Sequence, residues 1–513
     1  MTDLPYRLRD ALLATDFDYE TVADLLGPLA HAALGRNETT PGLMATRGGS
    51  PAETLVRLFL LQTAVTTDAA EAALPGLVDR LAVEGVLAQS VGEVAARLDV
   101  RPYASEDDAF WVVSDLTPGL DGLAQRVGAD HVLGISAASA SLAQLTLREE
   151  VGSALDLGTG CGVQALHLAR HSRRVVATDV NRRALRIARF NAALNDVEDT
   201  VEVRDGSYFE PVVGERFDLI ATNPPFVISP ATLRDGSSFA SSGTTGERLV
   251  YRDSGLPGDR VVEDIVRAAP AHLAPDGWCQ VLANWVVTRG QTWDERLGGW
   301  LDPGCDALVV QREVLDPAAY VELWLKDEGA HPATNGGDPA SAAAYRRRYD
   351  TWLSWFDEQG VEGVGFGWVN LHRRPDDAPS AGPGTGGAVH TLLDWPFDLE
   401  QPIAPAIAAW GRAVLRPVGP DDHLVARADV RQETAGAPGA EDPEAIVLRQ
   451  QLGFRRARQV DTVEAALVGA CDGDLSVGQV LDAVAVLTDR APEDLRSRYL
   501  PVVADLVAEG FLT

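Results

Sequence analysis

The feature that most constrains the fold is a short apolar segment that runs directly into a glycine-rich turn. Val151–Leu157 is mostly apolar and ends in Asp156-Leu157, and glycines follow at positions 158, 160 and 162. An apolar run of this kind is typical of a buried parallel strand, and the residues after the turn, Val163–Arg170, predict a helix. Glycine lets the chain reverse tightly and lets a ligand approach the backbone. The unit predicts an α/β fold with a ligand site at the turn.

The spacing of the glycines differs from the dinucleotide-binding fingerprint. That fingerprint is G-x-G-x-x-G, which would place a third glycine at position 163, where this chain has Val163. The spacing here is G-x-G-x-G, with an acid, Asp156, two residues before the first glycine. Taken alone, such a turn is equally typical of an ordinary loop, so the prediction of a ligand site depends on the segments that follow.

Three more predicted strands follow the turn, and each ends in a polar residue or motif. Arg174–Thr178 precedes Asp179, Val201–Arg204 precedes Asp205-Gly206-Ser207, and Phe217–Thr222 precedes Asn223. A carboxylate about 20 residues after the glycine turn is where this architecture holds a ribose diol, which is the position of Asp179. Ligands bind outside the carboxyl ends of the strands in open α/β sheets. We therefore expect the four strand ends to lie on one edge of a sheet and to form one site.

The fourth strand is followed at once by Asn223-Pro224-Pro225-Phe226. A planar –NH2 group is a poor nucleophile because its lone pair is delocalised. The side-chain carbonyl of Asn223 and the backbone carbonyl of Pro224 can accept its two hydrogens, which positions the nitrogen and stabilises the charge that develops on it. The prolines fix the backbone direction, and Phe226 offers a face for a planar acceptor. The competing interpretation is an ordinary strand-ending turn, because Asn-Pro is a common turn signal.

In this order, the motifs resemble those of class I, S-adenosylmethionine-dependent methyltransferases with an N-P-P-[YF] signature. That family includes the HemK-like glutamine methyltransferases of release factors and the "small" domain methyltransferases of ribosomal RNA, and the resemblance covers about residues 130–290. It implies a Rossmann-like, seven-stranded sheet with S-adenosyl-L-methionine as cofactor, and an acid after the third strand that accepts from the adenine amino group. It implies cofactor binding by Asp156, Gly158, Thr159, Gly160, Gly162, Asp179, Val180, Asp205, Gly206, Ser207 and Asn223, and catalysis by Asn223, Pro224, Pro225 and Phe226.

The motifs leave the methyl acceptor open. One candidate is the exocyclic amine of a base in ribosomal or transfer RNA, and the alternative is the glutamine side-chain amide of a protein such as a release factor. Both present the same planar –NH2 group. Phe226 stands where the release-factor enzymes usually carry Tyr, which slightly favours a nucleic-acid acceptor. A third interpretation is a non-catalytic, cofactor-binding interaction protein on the same fold, and the intact Asn-Pro-Pro-Phe motif argues against it.

The pattern of apolar and turn residues predicts three domains. They are a helical, winged-helix-like domain over 1–105, the methyltransferase-like domain over 106–376, and an α+β, winged-helix-like domain over 388–513. The middle domain is expected to add strands at Trp278–Val287, Ala307–Val314 and Val361–His372, with helices at Ala318–Lys326 and Ala342–Gln359. In the second helix, Tyr345, Tyr349, Trp352 and Phe356 recur at helical spacing, which predicts a buried face and not a base-stacking platform. The flanking domains are expected either to dock an RNA, ribosome or protein acceptor, or to serve as scaffold.

Residues 231–259 separate the Asn-Pro-Pro-Phe motif from the fifth strand and are rich in Ser, Thr and Gly. A loop directly after the catalytic turn is well placed to close over an acceptor. An unstructured insertion is the competing interpretation.

Composition bounds the remaining function classes. The net charge of −31 argues against broad, nonspecific binding to nucleic acid, although it does not exclude a local basic groove. The four cysteines are scattered without metal-ligand spacing and His is sparse, so no metal site is predicted and a reducing cytoplasm is expected. No segment approaches the roughly 18 apolar residues of a membrane helix, and the first residues lack the pattern of a signal peptide. The sequence therefore predicts a cytoplasmic protein with no membrane partner.

Overall fold

The computed structural model describes residues 3–105, 108–122, 127–230, 258–327, 338–376, 387–437 and 443–513. Most of the loop that was predicted to close over the acceptor, at 231–259, lies outside these described residues, as does most of the predicted linker at 375–387. None of the helices in the described part of the chain is long and apolar enough to cross a membrane.

The N-terminal region combines helices with a small antiparallel sheet. Its helices are α1 Leu4–Ala14, α2 Tyr19–Leu34, α3 Thr40–Ala45, α4 Pro51–Leu55 (continued by a π-helical turn, Val56–Leu60), α5 Thr67–Ala73 and α6 Val78–Val83. Its strands are β1 Val65–Thr66, β2 Leu87–Ser90 and β3 Glu93–Ala96, in the order β1–β3–β2. This is a helix-plus-hairpin arrangement of the kind that the sequence predicted, and its winged-helix character stays an interpretation.

A second hairpin connects this region with the central sheet. Strands β4 Leu98–Ala104 and β5 Ala109–Asp115 pair antiparallel along their whole length. Asn191 fixes β5 to the central domain, because its amide accepts from the Val113 N–H and donates to the Val113 carbonyl, both at 2.8 Å. The boundary predicted between residues 105 and 106 cuts this hairpin, so we place it before Leu98.

The central domain is built on an eight-stranded mixed sheet. Its strands are β6 Ala154–Leu157, β7 Val175–Asp179, β8 Val201–Asp205, β9 Phe217–Thr222, β10 Leu273–Thr288, β11 Cys305–Leu315, β12 Val361–Arg373 and β13 His390–Asp394. They lie in the order β8–β7–β6–β9–β10–β12–β11–β13, with β12 antiparallel to both of its neighbours. The prediction of a Rossmann-like sheet is confirmed, whereas the described sheet has eight strands, because β13 adds one to the seven that the sequence predicted.

Helices cover both faces of this sheet. They are α7 Ala137–Leu145, α8 Val163–Leu168, α9 Arg182–Leu194, α10 Arg260–Ala268, α11 Trp293–Gly298, α12 Pro317–Asp327, α13 Pro339–Glu358 and α14 Ala404–Leu415. Alternate residues of each strand enter opposite cores, since Leu155 packs with Val262 and Ile265 of α10, whereas Ala154 packs with residues of α7, α8 and α14. Because β13 and α14 complete the sheet and one of its cores, the central domain extends past the predicted end at residue 376.

The aromatic face of α13 is largely buried, as predicted. Trp352 and Phe356 are each 1% exposed and pack with Tyr320 of α12. Tyr345 and Tyr349 are half-buried at the edge of the same cluster. The two helices therefore form a compact pair that lies between β11 and β12 in the chain.

The C-terminal region consists of a three-stranded antiparallel sheet and three helices. The strands are β14 Val430–Ala435, β15 Ala445–Gln450 and β16 Ala457–Val460, and the helices are α15 Thr462–Ala470, α16 Val477–Leu487 and α17 Pro492–Ala508. Helices α6 and α17 end in the same way: Gly85 and Gly510 have φ of 77° and 78°, and the Val86 and Phe511 N–H groups each donate to a carbonyl five residues back at 2.8 Å. The segments 81–87 and 506–512 have similar sequences, with Leu first, Glu-Gly at the fourth and fifth positions and Leu last. Both therefore end a helix in the same way.

Candidate functional site

The predicted motifs meet in one cleft at the carboxyl ends of β6, β7, β8 and β9. The strand order reverses between β6 and β9, which is where open α/β sheets bind ligands. Of the predicted site residues, those that line the cleft are Asp156, Gly158, Thr159, Gly160, Asp179, Val180, Gly206, Ser207, Asn223, Pro224 and Pro225. Gly162, Asp205 and Phe226 lie beside the cleft without lining it.

The glycine turn brings its backbone to the cleft. Gly158, Gly160 and Gly162 have φ of 79°, 55° and 90°, a conformation that other residues rarely adopt. A Cβ on Gly160 would meet no atom within 4 Å, whereas one on Gly162 would lie 3.2 Å from Cα of Ala188 in α9. Gly160 therefore leaves open space toward the cleft, and Gly162 allows the turn to pack closely against α9.

Asp156 is a buried carboxylate at the end of β6. Its Oδ2 accepts from the Thr159 hydroxyl and, at 3.0 Å, from the Ala165 N–H. Burial raises the pKa of the Asp156 carboxyl to about 7. Thr159 consequently orients the carboxylate, and the cleft contains a group that can become negative at little cost when a cation lies beside it.

Asp179 ties the end of β7 to the glycine turn. Its Oδ2 accepts from the Gly160 N–H at 2.9 Å, and its Oδ1 accepts from the Asn181 N–H at 2.8 Å. Burial raises the pKa of this carboxyl as well. Because an ionised carboxylate offers about four lone-pair sites, each oxygen keeps the capacity to accept a further donor from the cleft, as a ribose diol requires.

At the end of β8, the residues after Asp205 line the cleft, whereas the carboxylate of Asp205 itself binds Arg182 outside the cleft lining. Oδ2 of Asp205 accepts from Nε of Arg182 at 3.2 Å, and the side chain is half exposed. Gly206, Ser207 and also Tyr208, which the sequence analysis missed, line the cleft. The contact from Asp205 to an adenine amino group stays a prediction.

The Asn-Pro-Pro-Phe motif continues from β9 into the cleft. The Thr222 hydroxyl donates to the Leu157 carbonyl at 2.7 Å, which fixes the start of the motif to β6. Oδ1 of Asn223 is buried and has no hydrogen-bond donor among the described residues. Leaving a buried acceptor unpaired costs about 1–3 kcal/mol, so a donor supplied by a ligand would be favourable here.

Comparison with known proteins gives this domain a family. Residues 133–235 match the Methyltransferase small domain. The chain carries a methyltransferase small domain. Together with the relatives named below, this match supports a HemK-like, class I methyltransferase domain with S-adenosylmethionine as methyl donor. Two further segments, 14–97 and 408–513, match families described as Domain of unknown function (DUF7059) and Domain of unknown function (DUF7782).

Curated relatives resemble about a quarter of the chain. The chain is 37% identical over 133 residues to the "Release factor glutamine methyltransferase" of Xylella fastidiosa. The match covers 25% of this chain and 46% of that protein. It is 36% identical over 125 residues to the "Ribosomal protein uL3 glutamine methyltransferase" of Bradyrhizobium diazoefficiens, which is 24% of this chain and 38% of that protein. The matched segment thus spans less than half the length of either relative.

Solved structures show a weaker likeness. An rRNA methylase from Streptococcus thermophilus covers 47% of this chain and 99% of its own, at 13% identity and a TM-score of 0.25. The geranyl diphosphate C-methyltransferase of Streptomyces coelicolor covers 46% of this chain and 74% of its own, at 13% identity and a TM-score of 0.27.

The aromatic residue of the motif does not line the cleft and packs against Trp324. The ring of Phe226 meets that of Trp324 edge-on, with centroids 6.5 Å apart and an interplanar angle of 71°. Two residues further, the Ile228 N–H donates to the Tyr320 hydroxyl at 2.8 Å, and Nε1 of Trp352 donates to the Ile228 carbonyl at 3.0 Å. The pair α12–α13 therefore holds the segment that follows the motif.

The segment before α7 supplies cleft residues that the sequence analysis missed. His131, Leu133, Ser136 and Ser139 line the cleft, and burial lowers the pKa of His131. A local signal was present, since Ser136 begins α7 and accepts from the Ser139 N–H at 3.2 Å in a capping box. That pattern predicts where a helix begins, but not that the residues before it reach a cleft on a distant sheet.

Proposed function

We propose that this protein is an N-methyltransferase that transfers a methyl group from S-adenosylmethionine to the side-chain amide of a glutamine in a protein. The observation that carries the proposal is the buried, unpaired Oδ1 of Asn223 at the edge of the cofactor cleft. The names of the two relatives support a glutamine acceptor. They give no support to the RNA base that Phe226 slightly favoured, so the alternative of the sequence analysis becomes the preferred acceptor.

The cleft fits the cofactor in charge and in shape. Both carboxylate oxygens of Asp179 can accept from the ribose hydroxyls, and Asp156 provides negative charge beside the glycine turn. Val180 is half exposed and lines the cleft with Tyr208, which gives a planar base an apolar surface. When bound, S-adenosylmethionine supplies an electrophilic methyl group on a sulfonium.

Asn223 and Pro224 prepare the acceptor nitrogen. Oδ1 of Asn223 and the carbonyl of Pro224 accept its two N–H groups, which directs the lone pair toward the cleft and favours a more tetrahedral nitrogen. The same oxygens would stabilise the positive charge that develops on the nitrogen as the new N–C bond forms and the methyl–sulfur bond breaks, which leaves the donor as a neutral thioether. The methylated nitrogen then loses one proton to solvent, so that a neutral secondary amide is released.

The acceptor class can be tested with labelled cofactor. Purified protein and cofactor with a tritiated methyl group are incubated with a lysate from a strain that lacks the gene, and the products are treated with protease or with ribonuclease. We expect label that protease destroys and ribonuclease leaves intact, with little label from the Asn223→Ala variant. Label destroyed by ribonuclease would replace glutamine with a nucleic-acid acceptor. Equal incorporation by wild type and variant would contradict the proposed role of Asn223.

A further inference from the structure

A second cavity, of about 490 Å³, is lined by residues between 406 and 513, which follow those of the methyltransferase cleft in the sequence. It is formed by α14, by β15 with the turn that follows it, and by the end of α17. Trp410, Phe454 and Leu512 give it apolar walls, and Arg456 is among its charged lining residues. None of its lining residues is shared with the cofactor cleft.

Arg456 is a partly buried cation that forms no ion pair or hydrogen bond with a carboxylate of the described residues, although Glu509 of the same cavity acts on its charge at longer range. Its guanidinium lies 5.2 Å from the ring centroid of Phe454 and 5.8 Å from that of Trp395. Nε is buried without an acceptor, and burial lowers the pKa of the group. Contacts with aromatic faces compensate only part of the hydration that a guanidinium loses on burial. The site is therefore electrostatically incomplete.

The other charged groups around this cavity are already paired. Arg427 binds Asp429 through two nitrogens, at 2.8 and 2.7 Å, and the carboxylate of Glu509 accepts from Nη1 of Arg458 at 3.0 Å. The two arginines nearer the rim form looser ion pairs, Arg412 with Glu149 at 3.7 Å and Arg416 with Asp422 at 3.3 Å.

Arg456 differs from all of these, because no carboxylate in the described part of the chain forms an ion pair or hydrogen bond with it. The chain has 75 acidic residues against 44 lysines and arginines. Carboxylates are thus abundant in the chain, and yet none of those described pairs with Arg456.

We propose that this cavity binds a small organic anion. A carboxylate or phosphate on the ligand pairs with the guanidinium of Arg456, whose planar fork suits two parallel hydrogen bonds. A planar or apolar group on the same molecule fills the space against Trp410, Phe454 and Leu512. The proposal does not depend on the methyl acceptor, because the cavity and the cofactor cleft have separate linings.

Calorimetry on the full-length protein tests this with four probes. Benzoate and phenyl phosphate carry both features, inorganic phosphate carries only the charge, and benzyl alcohol carries only the ring. We expect at least one of the two aromatic anions to bind, and both single-feature probes to bind at least about ten-fold more weakly, as loss of a charge-assisted hydrogen bond or of ring burial implies. The tighter of benzoate and phenyl phosphate identifies the anionic group. No binding of either aromatic anion, or equal binding of inorganic phosphate, overturns the proposal.

Two variants assign the binding to Arg456. Arg456→Met should abolish binding of the aromatic anion while cofactor binding is kept. The control Arg449→Met should leave anion binding within about two-fold, because Arg449 pairs with Glu433 on the sheet surface and does not line the cavity. Unchanged binding by Arg456→Met overturns the proposal. If Arg456→Met also loses cofactor binding, the charge-conserving Arg456→Lys variant decides: it should weaken the anion about ten-fold, because Lys lacks the planar fork, and an undiminished affinity overturns the proposal.

Discussion

At the residue scale, the cofactor cleft contains two polar side chains whose burial costs stability in the absence of a ligand. Asn223 has a buried amide oxygen that receives no hydrogen bond from the described residues, and Asp156 has a carboxyl whose pKa burial raises to about 7. Both residues cost stability as they stand, and both would gain from a ligand that brings an N–H group or a positive charge. The two residues therefore give separate tests of acceptor activation and cofactor binding.

Replacing Asn223 with Ala should leave cofactor affinity near that of the wild type and lower kcat. We expect a loss on the order of 10²–10³, by analogy with removal of one preorganised hydrogen-bonding group. Calorimetry with the cofactor and single-turnover methyl transfer separate the two effects. Asn195→Ala is a matched control, because Asn195 is a nearly buried amide that binds Trp111 and does not line the cleft. A kcat within a few-fold of wild type for Asn223→Ala would reduce the motif to a turn.

Cofactor affinity should rise with pH up to about 7 and then level off. In the free protein, the raised pKa keeps Asp156 protonated below about 7, and a cation beside it favours the ionised form, so binding releases a proton in this range. The same shift lowers the stability of the free protein as pH rises from about 4 to about 7, because Asp156 ionises in the unfolded chain while it stays protonated in the folded one. Calorimetry in buffers of different ionisation enthalpy counts the protons released. An Asp156→Asn variant that keeps the full pH dependence would assign it to another group.

At the element scale, helices α12 and α13 hold the segment that follows the Asn-Pro-Pro-Phe motif. The Tyr320 hydroxyl accepts from the Ile228 N–H and, at 3.2 Å, from Nδ2 of Asn284 on β10. Trp352 holds the carbonyl of the same residue. Since Ile228 follows Phe226 by two residues, any movement of this pair is transmitted to the motif.

Tyr320→Phe should lower kcat without changing cofactor affinity. The ring keeps its packing, while the Ile228 N–H loses a buried acceptor, which costs about 1–3 kcal/mol. If about half of this cost falls on the transition state, kcat falls by about two- to ten-fold. Tyr349→Phe is the control, because it removes a hydroxyl from α13 that binds Glu322 at 3.2 Å and does not touch the motif segment. Equal kcat values for the two variants would show that α12 does not position the motif.

The strands also show which parts of the fold and of the cleft could be predicted from the sequence. Strands β6 to β9 were predictable because each is a short apolar run that ends in an acid or in Asn223, and such local patterns survive in the fold. The pairing of β4 with β5 and the addition of His390–Asp394 to the sheet depend on contacts between distant segments. For the same reason, the sequence could not show that Asp205 turns toward Arg182 or that His131 reaches the cleft.

At the scale of the whole molecule, the flanks are joined to the methyltransferase domain by buried as well as polar contacts. Val100 and Val113 of the connecting hairpin lie in the N-terminal core, and Arg9 of α1 forms an ion pair with Asp196 at 3.1 Å. On the other side, Phe454 of the C-terminal region is buried in a core of the central sheet together with Ile407 of α14. We propose that the flanks select the acceptor, because the cofactor cleft is complete without them.

Truncation tests this division of labour. A fragment of residues 106–376 should fail to fold, since it loses β4, β13 and the buried side chains of α14, each worth about 1.5–3 kcal/mol of burial. A fragment of residues 98–415 should fold with lower stability, bind the cofactor within a few-fold of the full chain and methylate the acceptor poorly. Full methylation by the folded fragment of residues 98–415 would show that the flanks have another role. Thermal unfolding, calorimetry and methyl transfer are the measurements.

The most direct test of the whole account is to locate the methyl group on the modified acceptor. Lysate from the deletion strain is incubated with unlabelled cofactor and either wild-type protein or Asn223→Ala, and the peptides are sequenced by tandem mass spectrometry. The account predicts one added methyl group on a glutamine side-chain amide, present with the wild type and absent with the variant. A methyl group on any other side chain, or one on a nucleotide with the proteins unmodified, would contradict it.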